Sequence, residues 1–226
     1  MNFYSSKLRA SRYFKIFENY KKTFSKQFLL QNSNLFIGDQ SLYKLLINFE
    51  LIKKIKDVKG DIIEFGVWNG NNLLLIKKIL DYFKLKKKLY GYDHFKGMPK
   101  EAKDYKRNNF SGDKKLIKYI IKFFGLKKIL LIDDDILNLK KHLKSFKKLS
   151  LIYIDCDIYE TTKEILEKLS KKLSKGGIIV FDEGNQKKNV GETLAMRKFY
   201  NKNKNKYKRV FLKTGYQPDI YLEKIK

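Results

Sequence analysis

The sequence predicts an α/β fold in which a mainly parallel sheet has helices on both faces and ends in an antiparallel hairpin. Two observations predict it. From Gly60 onward, short apolar runs typical of buried strands alternate with longer amphipathic segments typical of helices. The last two apolar runs, RVFLKT (209–214) and DIYLEKI (219–225), follow one another with no helix between them, which indicates a hairpin.

Residues 1–58 precede this alternating pattern and are predicted to be helical. Aromatic residues recur there at spacings of three and four with lysines between them, namely Tyr13, Phe14, Phe17, Tyr20, Phe24 and Phe28. No Pro- or Gly-rich linker follows, so we interpret the segment as a helical cap on one main domain, residues 59–226. A basic amphipathic helix that contacts a membrane surface is the alternative.

The remaining elements follow in order along the chain. Strands are predicted at 61–67, 88–95, 128–135, 149–157 and 178–182, and helices at 71–83, 113–124, 162–173 and 191–201. Ser111 is the predicted N-cap of the second of these helices, and Gly125 its terminator. A T-x-x-E capping box, Thr161 with Glu164, is predicted to open the third helix, and Gly176-Gly177 to end it.

The chain is strongly basic, because 51 Lys and Arg against 24 Asp and Glu give a formal charge of +27. Only five of the basic residues are arginine, and the lysines are spread from end to end. Specific nucleic-acid recognition depends heavily on the planar guanidinium, so we interpret the lysines chiefly as compositional drift. A lysine-rich nucleic-acid-binding module remains an alternative, and the positive field favours an anionic substrate or cofactor.

Cysteine content and hydropathy indicate the compartment. The chain has one cysteine, Cys156, and so cannot form an internal disulfide. The N-terminal stretch lacks the apolar core of a secretory signal, and no apolar run reaches the roughly 18 to 20 residues needed to cross a bilayer. We therefore expect a cytoplasmic protein with no transmembrane segment. Cys156 lies between Asp155 and Asp157 on its predicted strand, so its side chain is expected to point to the opposite face, and we interpret it as a core residue.

Acidic residues stand at or near the end of every predicted parallel strand. In an open parallel sheet the carboxyl ends of the strands share one edge, and ligands bind there. We therefore expect one acidic site, formed by Glu64, Asp93, Asp133 to Asp135, Asp155, Asp157, Asp182 and Glu183.

The first strand-to-helix turn, E-F-G-V-W-N-G (64–70), has the features of a ligand-binding loop. Its glycines let the backbone approach a ligand closely, and the helix N-terminus offers free N–H groups to an anion. Asp93 ends the second strand, where a carboxylate would grip the ribose hydroxyls of an adenosine moiety. This role fits S-adenosylmethionine or NAD, although the G-x-G-x-x-G spacing of dinucleotide-binding proteins is absent. Asp133 to Asp135 lie where a group that flanks the adenine would be found.

Asp157, Asp182 and Glu183 form the most informative group, because two neighbouring strand ends deliver three carboxylates to one place. Like charges so close repel unless a cation or shared protons compensate them. Oxygen ligands of this kind are preferred by hard cations, Mg²⁺ first. Such a cation would hold a substrate hydroxyl and make it more acidic.

Four motifs in this order resemble those of one known family. GDIIEFGVWNGNN, YGYDHFKGMP, LIYIDCDIYETT and GGIIVFDEGNQ with GETLAMRKF are similar to motifs of the TylF/MycF-type family of sugar O-methyltransferases, over roughly residues 58 to 222. The resemblance implies a class I methyltransferase fold that uses S-adenosylmethionine and magnesium. It implies cofactor contacts at Glu64, Gly66, Gly70 and Asp93. We also expect cofactor contacts at Val67, Trp68, His94, Asp134 and Asp155. The resemblance also implies metal binding by Asp157, Asp182 and Glu183, with Asp157 as the catalytic residue that takes the hydroxyl proton.

The chain departs from the family pattern at two points. The family usually has two adjacent aspartates where this chain has Asp182-Glu183, so the reach of the second carboxylate differs. The family motif D-S-F-E-G-L-P is here D-H-F-K-G-M-P, which places His94 beside Asp93. The charged segment that follows, Lys96 to Phe110, is expected to be a mobile lid over the site.

We therefore predict an O-methyltransferase that acts on a sugar hydroxyl, on either a nucleotide-linked or a glycan sugar, in a bacterial glycan pathway. A homo-oligomer is expected. An NAD-dependent Rossmann enzyme is the alternative from another enzyme class, and the nucleic-acid-binding module is the alternative without catalysis.

Overall fold

The computed structural model describes residues 15–19, 21–35, 37–98, 108–187, 191–212 and 216–226. Within them lies a seven-stranded sheet with the order β3-β2-β1-β4-β5-β7-β6. Its strands are β1 (Asp61–Phe65), β2 (Leu89–Asp93), β3 (Ile129–Asp133), β4 (Leu149–Ile154), β5 (Leu173–Phe181), β6 (Tyr207–Phe211) and β7 (Ile220–Lys224). Strands β1 to β5 pair in parallel, whereas β7 is antiparallel to both β5 and β6. The predicted parallel sheet with a terminal hairpin is confirmed.

Helices flank the sheet, and their bounds are α1 (Lys26–Gln31), α2 (Asp39–Ile55), α3 (Asn71–Tyr82), α4 (Lys114–Phe123), α5 (Tyr159–Leu169) and α6 (Gly191–Lys202). Short 3₁₀ helices span Ser33–Leu35, Ile136–Ser145 and Ser170–Lys172. Residues 15–19 are also helical. None of the helices in the described part of the chain is both long and apolar enough to cross a bilayer.

The sheet has a separate apolar core on each face. Successive side chains of a strand point to opposite faces, so Ile62 of β1 joins the core beneath α2, α3 and α4, while its neighbour Ile63 joins the core beneath α5 and α6. Strand β4 divides in the same way, with Leu151 on the first side and Ile152 on the second. Helices on both faces explain why these strands are apolar throughout.

The N-terminal segment contributes to the core of the main domain through α2. Leu51, Ile52 and Ile55 are buried in the same cluster as residues of β1, β4 and β5. Of the aromatic residues that predicted helices here, Phe24 and Phe28 stack with ring centroids 4.2 Å apart. Tyr13, Phe14 and Tyr20 lie outside the described residues.

Three predicted element ends were wrong. Helix α4 is capped by Asp113, whose side chain accepts the Leu116 N–H at 2.9 Å, and not by Ser111. Helix α5 begins at Tyr159 without a capping box, and the Thr161 hydroxyl donates instead to the Ile158 carbonyl. Gly176-Gly177 lie inside β5, at a break in its register with β4.

Gly125 follows α4 in a left-handed conformation, with φ +60°, as predicted. The 3₁₀ helix Ile136–Ser145 was not predicted. It begins with a cap from Asp135, whose side chain accepts the Leu137 N–H at 2.8 Å.

Candidate active site

The carboxyl ends of β1, β2, β4 and β5 open into one cavity of about 350 Å³, which we name the acidic cavity. It brings together most of the residues predicted to form the site: Gly66, Trp68, Asp93, His94, Asp155, Asp157, Asp182 and Glu183. It is also lined by residues that were not predicted, among them Gln40, Lys44, Cys156, Thr161 and Gln217. Acids from distant sequence positions meet here because parallel strands all end at the same edge of the sheet.

A second cavity of about 430 Å³ adjoins the acidic cavity. The two share His94, Gly97, Met98 and Asp135 as lining residues. Asp134 lines the second cavity but not the acidic cavity. Two adjoining cavities suit a ligand with two linked parts.

Three predicted cofactor residues lie behind the cavity walls. Val67 is 3% exposed and packs in the core. Gly70, in a left-handed conformation with φ +80°, caps the start of α3. Glu64 is buried, and its Oε1 accepts a hydrogen bond from Asn72 at 3.3 Å, while its Oε2 has no hydrogen-bond partner among the described residues. Burial raises the pKa of Glu64 to about 8.

Asp93 organises the loop after β1. Its Oδ2 accepts the backbone N–H of Trp68 at 2.8 Å, and its Oδ1 accepts the N–H of Phe95 at 2.7 Å. Gly66 is required in this loop, because a Cβ there would lie 1.8 Å from the carbonyl oxygen of Asp155. The backbone just after β1 therefore passes close to the end of β4.

Asp134 belongs to a small polar network at the rim of the second cavity. Its carboxylate accepts hydrogen bonds from the Asn138 side chain and pairs with His142 Nε2, each at 2.8 Å. These two hydrogen bonds, with that of His142 the stronger influence, lower the pKa of Asp134 to about 2. The ring of His142 also packs edge-on against Tyr92.

The acids of the acidic cavity raise one another's pKa. Burial, then the charge of Asp182, raises the pKa of Asp157 to about 6. Burial and the charges of Asp157 and Asp182 raise the pKa of Glu183 to about 7. The pKa of Asp155 lies well above its usual range for the same reasons, burial first and Asp182 second. The site therefore concentrates negative charge in a place with little solvent, where a cation is favoured.

Lys44 of α2 extends into this acidic group. Its Nζ lies 3.1 Å from Asp182 Oδ1 and 3.5 Å from Asp155 Oδ2. Asp182 Oδ1 also accepts a hydrogen bond from the Tyr153 hydroxyl at 3.1 Å. Burial alone would lower the pKa of Lys44, but the charges of Asp182 and Asp155 outweigh it and raise the pKa.

The start of α6 binds the loops after β4 and β5, which carry the acids. Glu192 Oε1 accepts the N–H of Glu183 at 2.9 Å, and its Oε2 accepts the N–H of Cys156 at 3.4 Å. The Thr193 hydroxyl donates to the Glu183 carbonyl and accepts the N–H of Gln186. A Cβ on Gly191 would lie 2.1 Å from the carbonyl oxygen of Asp157. Three consecutive residues of one helix thus set the positions of the loops after β4 and β5.

The cysteine was predicted to be a core residue by strand alternation, and this holds only in part. Strand β4 ends at Ile154, so the alternation does not extend to Cys156. Cys156 is partly buried, packs against the core and also lines the acidic cavity.

Most of the predicted lid, residues 99–107, lies outside the described residues. At its two ends, Lys96 forms an antiparallel bridge with Ser111, and Met98 exchanges backbone hydrogen bonds with Asn108 and Asn109. Phe110 packs edge-on against Trp68, with centroids 6.0 Å apart, at the mouth of the acidic cavity.

Comparison with known proteins bears on these observations directly. The family model described as macrocin-O-methyltransferase (TylF) matches residues 16–210, most of the chain. The chain belongs to this family. The resemblance read from the four sequence motifs is therefore confirmed, and the TylF match extends it into the N-terminal segment, which includes α2 and Lys44.

Two relatives illustrate the TylF membership. A Streptomyces olivaceus 8-demethyl-8-(2,3-dimethoxy-alpha-L-rhamnosyl)-tetracenomycin-C 4'-O-methyltransferase is 26% identical over 143 residues, which cover 56% of this chain and 53% of that protein. The match thus spans about half the length of that curated relative. The structure of CalS11, a calicheamicin methyltransferase, is 25% identical with a TM-score of 0.78, over 99% of this chain and 94% of that one.

Two further structures extend the comparison. An apo structure of CalS11, described as a TDP-rhamnose 3'-O-methyltransferase, has a TM-score of 0.74 and covers 99% of this chain and 96% of that one at 25% identity. The O-methyltransferase NovP, 19% identical with a TM-score of 0.66 over 84% of this chain and 82% of that one, shares the fold. The class I methyltransferase fold expected of a TylF member is confirmed.

The carboxylates of this TylF member fit a divalent cation in their chemistry, since Asp157, Asp182 and Glu183 bring their oxygens to one cavity. Their placement is not that of an assembled centre. Within the described ranges, no group of three or more His, Cys, Asp and Glu side chains is arranged to hold a metal ion. Asp182 instead contacts the ammonium of Lys44.

Sequence reasoning missed the two features that hold the acids in place, Lys44 and the start of α6. Lys44 carries no local signal, because it is one of many lysines in a segment interpreted as a cap. Glu192 and Thr193 do lie in a quoted motif, GETLAMRKF, but nothing in that motif indicates that their side chains bind the backbone of other strands.

Proposed function

We propose that this protein transfers a methyl group from S-adenosylmethionine to a sugar hydroxyl, with a divalent cation, Mg²⁺ first, as a second cofactor. The observation that carries the proposal is the acidic cavity itself. It joins Asp93, the expected ribose ligand, to Asp157, Asp182 and Glu183, the expected metal ligands, in one continuous space. Membership in the TylF family supports methyl transfer over an NAD-dependent reaction or nucleic-acid binding.

The cofactor would extend along the strand ends through both cavities. Asp93 would bind the ribose, and Gly66, which also lines the acidic cavity, would lie beneath it. His94 and Asp135, which both cavities share, and Asp134, in the second cavity, would flank the adenosine. Glu64 offers a buried carboxyl oxygen without a hydrogen-bond partner behind the loop, which suits a polar group of a bound ligand. Trp68, Val67 and Gly70 would shape the loop backbone.

Asp157 would accept the proton of the sugar hydroxyl. Burial and the charge of Asp182 raise the pKa of Asp157 to about 6, so the carboxylate is ionised at neutral pH and able to accept a proton. Proximity and orientation would supply the remaining rate enhancement, since the methyl donor and the acceptor would lie in one cavity. No covalent intermediate with the protein is needed.

Asp157, Asp182 and Glu183 would hold the divalent cation, whose charge lowers the pKa of a neighbouring hydroxyl. Gln217 donates to Glu183 Oε1 at 2.6 Å and would fix that longer side chain in place of the family's second aspartate. Lys44 and Tyr153 hold Asp182 from the other side.

The acceptor is a sugar of the deoxyhexose class, on a nucleotide or a glycan. The names of the tetracenomycin relative and of CalS11 contain a rhamnosyl group and TDP-rhamnose. The net charge of +27 favours an acceptor that carries a diphosphate. A cytoplasmic homo-oligomer remains our expectation.

The test is methyl transfer measured by mass spectrometry, with S-adenosylmethionine, Mg²⁺ and a panel of nucleotide-linked sugars that includes TDP-rhamnose. The panel should contain an acceptor that gains one methyl group. Asp157→Asn, which suits the left-handed backbone at φ +58°, should abolish the transfer. Asp57→Asn on the surface should leave it intact. Transfer that survives Asp157→Asn would refute the role of Asp157, and absence of transfer to every sugar would refute the acceptor class.

A further inference from the structure

Lys44 links the N-terminal segment to the acids of the site. Among the described residues that line the acidic cavity, it is the one lysine or arginine. Its ammonium lies between Asp182 Oδ1 at 3.1 Å and Asp155 Oδ2 at 3.5 Å, and its side chain is only 21% exposed. A positive charge from the helical cap thus stands where the acids of β4 and β5 meet.

The backbone of Lys44 is fixed on several sides. Its carbonyl accepts a hydrogen bond from the Asn48 side chain at 2.8 Å, and Asn48 in turn donates to the Asn72 side chain of α3 at the same distance. One residue earlier, the Tyr43 hydroxyl donates to the Pro218 carbonyl at 3.1 Å. These hydrogen bonds tie this part of α2 to α3 and to the segment before β7, so we expect movement of the ammonium to come from the flexible Lys44 side chain.

Asp182 needs a positive partner. Its side chain is 7% exposed, and a buried carboxylate without a counter-charge is strongly unfavourable. Lys44 supplies that charge through the same oxygen that Tyr153 contacts. A divalent cation that binds Asp182 would come close to the ammonium, and the two cations would repel each other across a region of low dielectric constant.

We propose that Lys44 is a resident counter-ion of Asp182 which a divalent cation must displace, so that Lys44 sets the cation affinity of the site. The displaced ammonium stays near Asp155, its second partner. This inference rests on the proposed function only in the choice of Asp157, Asp182 and Glu183 as the cation's ligands. It makes Lys44 a positioning residue.

Cation affinity in the absence of substrate tests the proposal. Mg²⁺ binding is measured by calorimetry and Mn²⁺ binding by electron paramagnetic resonance, for the wild type, Lys44→Gln and Lys54→Gln. Lys54 is the matched control, because it lies on the same helix and pairs with Glu223 at 3.1 Å, away from the cavity. Removing a unit charge so near the bound cation should strengthen binding about tenfold or more in Lys44→Gln and leave Lys54→Gln unchanged.

The outcomes distinguish the role of Lys44 from the choice of Asp157, Asp182 and Glu183 as cation ligands. Cation binding by the wild type with equal or weaker binding in Lys44→Gln overturns the role of Lys44 and leaves the proposed metal ligands standing. Absence of binding to all three proteins in the millimolar range overturns both. A tenfold gain in Lys44→Gln alone supports both.

A second measurement uses the wild-type protein and so does not depend on how a variant folds. Lysine side chains are methylated reductively to low extent, with and without Mg²⁺, and the extent at each site is read by mass spectrometry. Displacement by Mg²⁺ should raise the modification of Lys44 severalfold and leave that of Lys54 constant. Modification of Lys44 that does not change while Mg²⁺ binds would overturn the proposal.

Discussion

Replacement of Gly191 by alanine tests whether the start of α6 positions the proposed base. Gly191 has φ +53°, and a Cβ on it would lie 2.1 Å from the carbonyl oxygen of Asp157. Real Cβ atoms essentially never approach closer than 3.0 Å, so the gap must widen by about 0.9 Å. Among the described residues, the new Cβ meets the backbone of Asp157 most closely, so Asp157 must move or force α6 away.

The magnitude follows from the required shift. A displacement of about 1 Å in a group that must contact the reacting atoms costs on the order of 100-fold in rate. We therefore expect Gly191→Ala to lower kcat about 100-fold. The affinity for S-adenosylmethionine should change little, since Asp93 and the residues it binds lie on other strands.

Gly125→Ala is the matched control. Gly125 has nearly the same backbone conformation, with φ +60°, but a Cβ there would meet nothing within 4 Å. Both variants carry the cost of about 1 kcal/mol for a left-handed alanine. Only Gly191→Ala adds the clash with Asp157.

The assay is steady-state methyl transfer, with calorimetry for the cofactor and thermal denaturation for folding. Equal losses of kcat in the two variants would show that backbone strain alone is responsible. Full activity in Gly191→Ala would refute the claim that α6 sets the position of Asp157.

Three further predictions concern single side chains. Burial raises the pKa of Glu64 from 4.5 to about 8, so between these pH values the folded protein keeps a proton that the unfolded chain loses. The free energy of unfolding should therefore fall as the pH rises from 4.5 to about 8. Urea denaturation of Glu64→Gln should show a smaller fall over the same range. Thr193→Val leaves the Glu183 carbonyl and the Gln186 N–H without the Thr193 hydroxyl, and it should lower the free energy of unfolding by about 1–3 kcal/mol, measured by thermal denaturation. Thr193→Ser keeps a hydroxyl and should lower it less, and equal losses in the two variants would contradict this. Asp113→Ala removes the cap of α4 and should cost about 1 kcal/mol, whereas Asp113→Asn, which keeps a capping oxygen, should cost much less.

The strands and their order along the chain could be predicted because each parallel strand reads as an apolar run, and the central strands β1 and β4 are buried on both faces. The ends of elements could not. Ser111 and Asp113 are both good capping residues, and only the backbone path decides that Asp113 is the cap. Gly176 and Gly177 look like a helix terminator, but they occupy a register break in β5, where the extra residues need a left-handed glycine at Gly176.

The candidate site was predictable to the extent that it depends on topology. Acids after parallel strands meet at one edge whatever their separation in sequence, and the structure places Asp93, Asp157, Asp182 and Glu183 together for that reason. Lys44 was not predictable, since its approach depends on how α2 packs across the sheet. No spacing or motif in a lysine-rich chain distinguishes it from its neighbours.

The central claim is that the strand ends bind S-adenosylmethionine, and calorimetric titration of this cofactor, with and without Mg²⁺, tests it most directly. The wild type should bind, and Asp93→Ala, confirmed as folded by thermal denaturation, should not. Absence of heat with S-adenosylmethionine in the wild type, with binding of NAD instead, would contradict the assignment of the acidic cavity to methyl transfer.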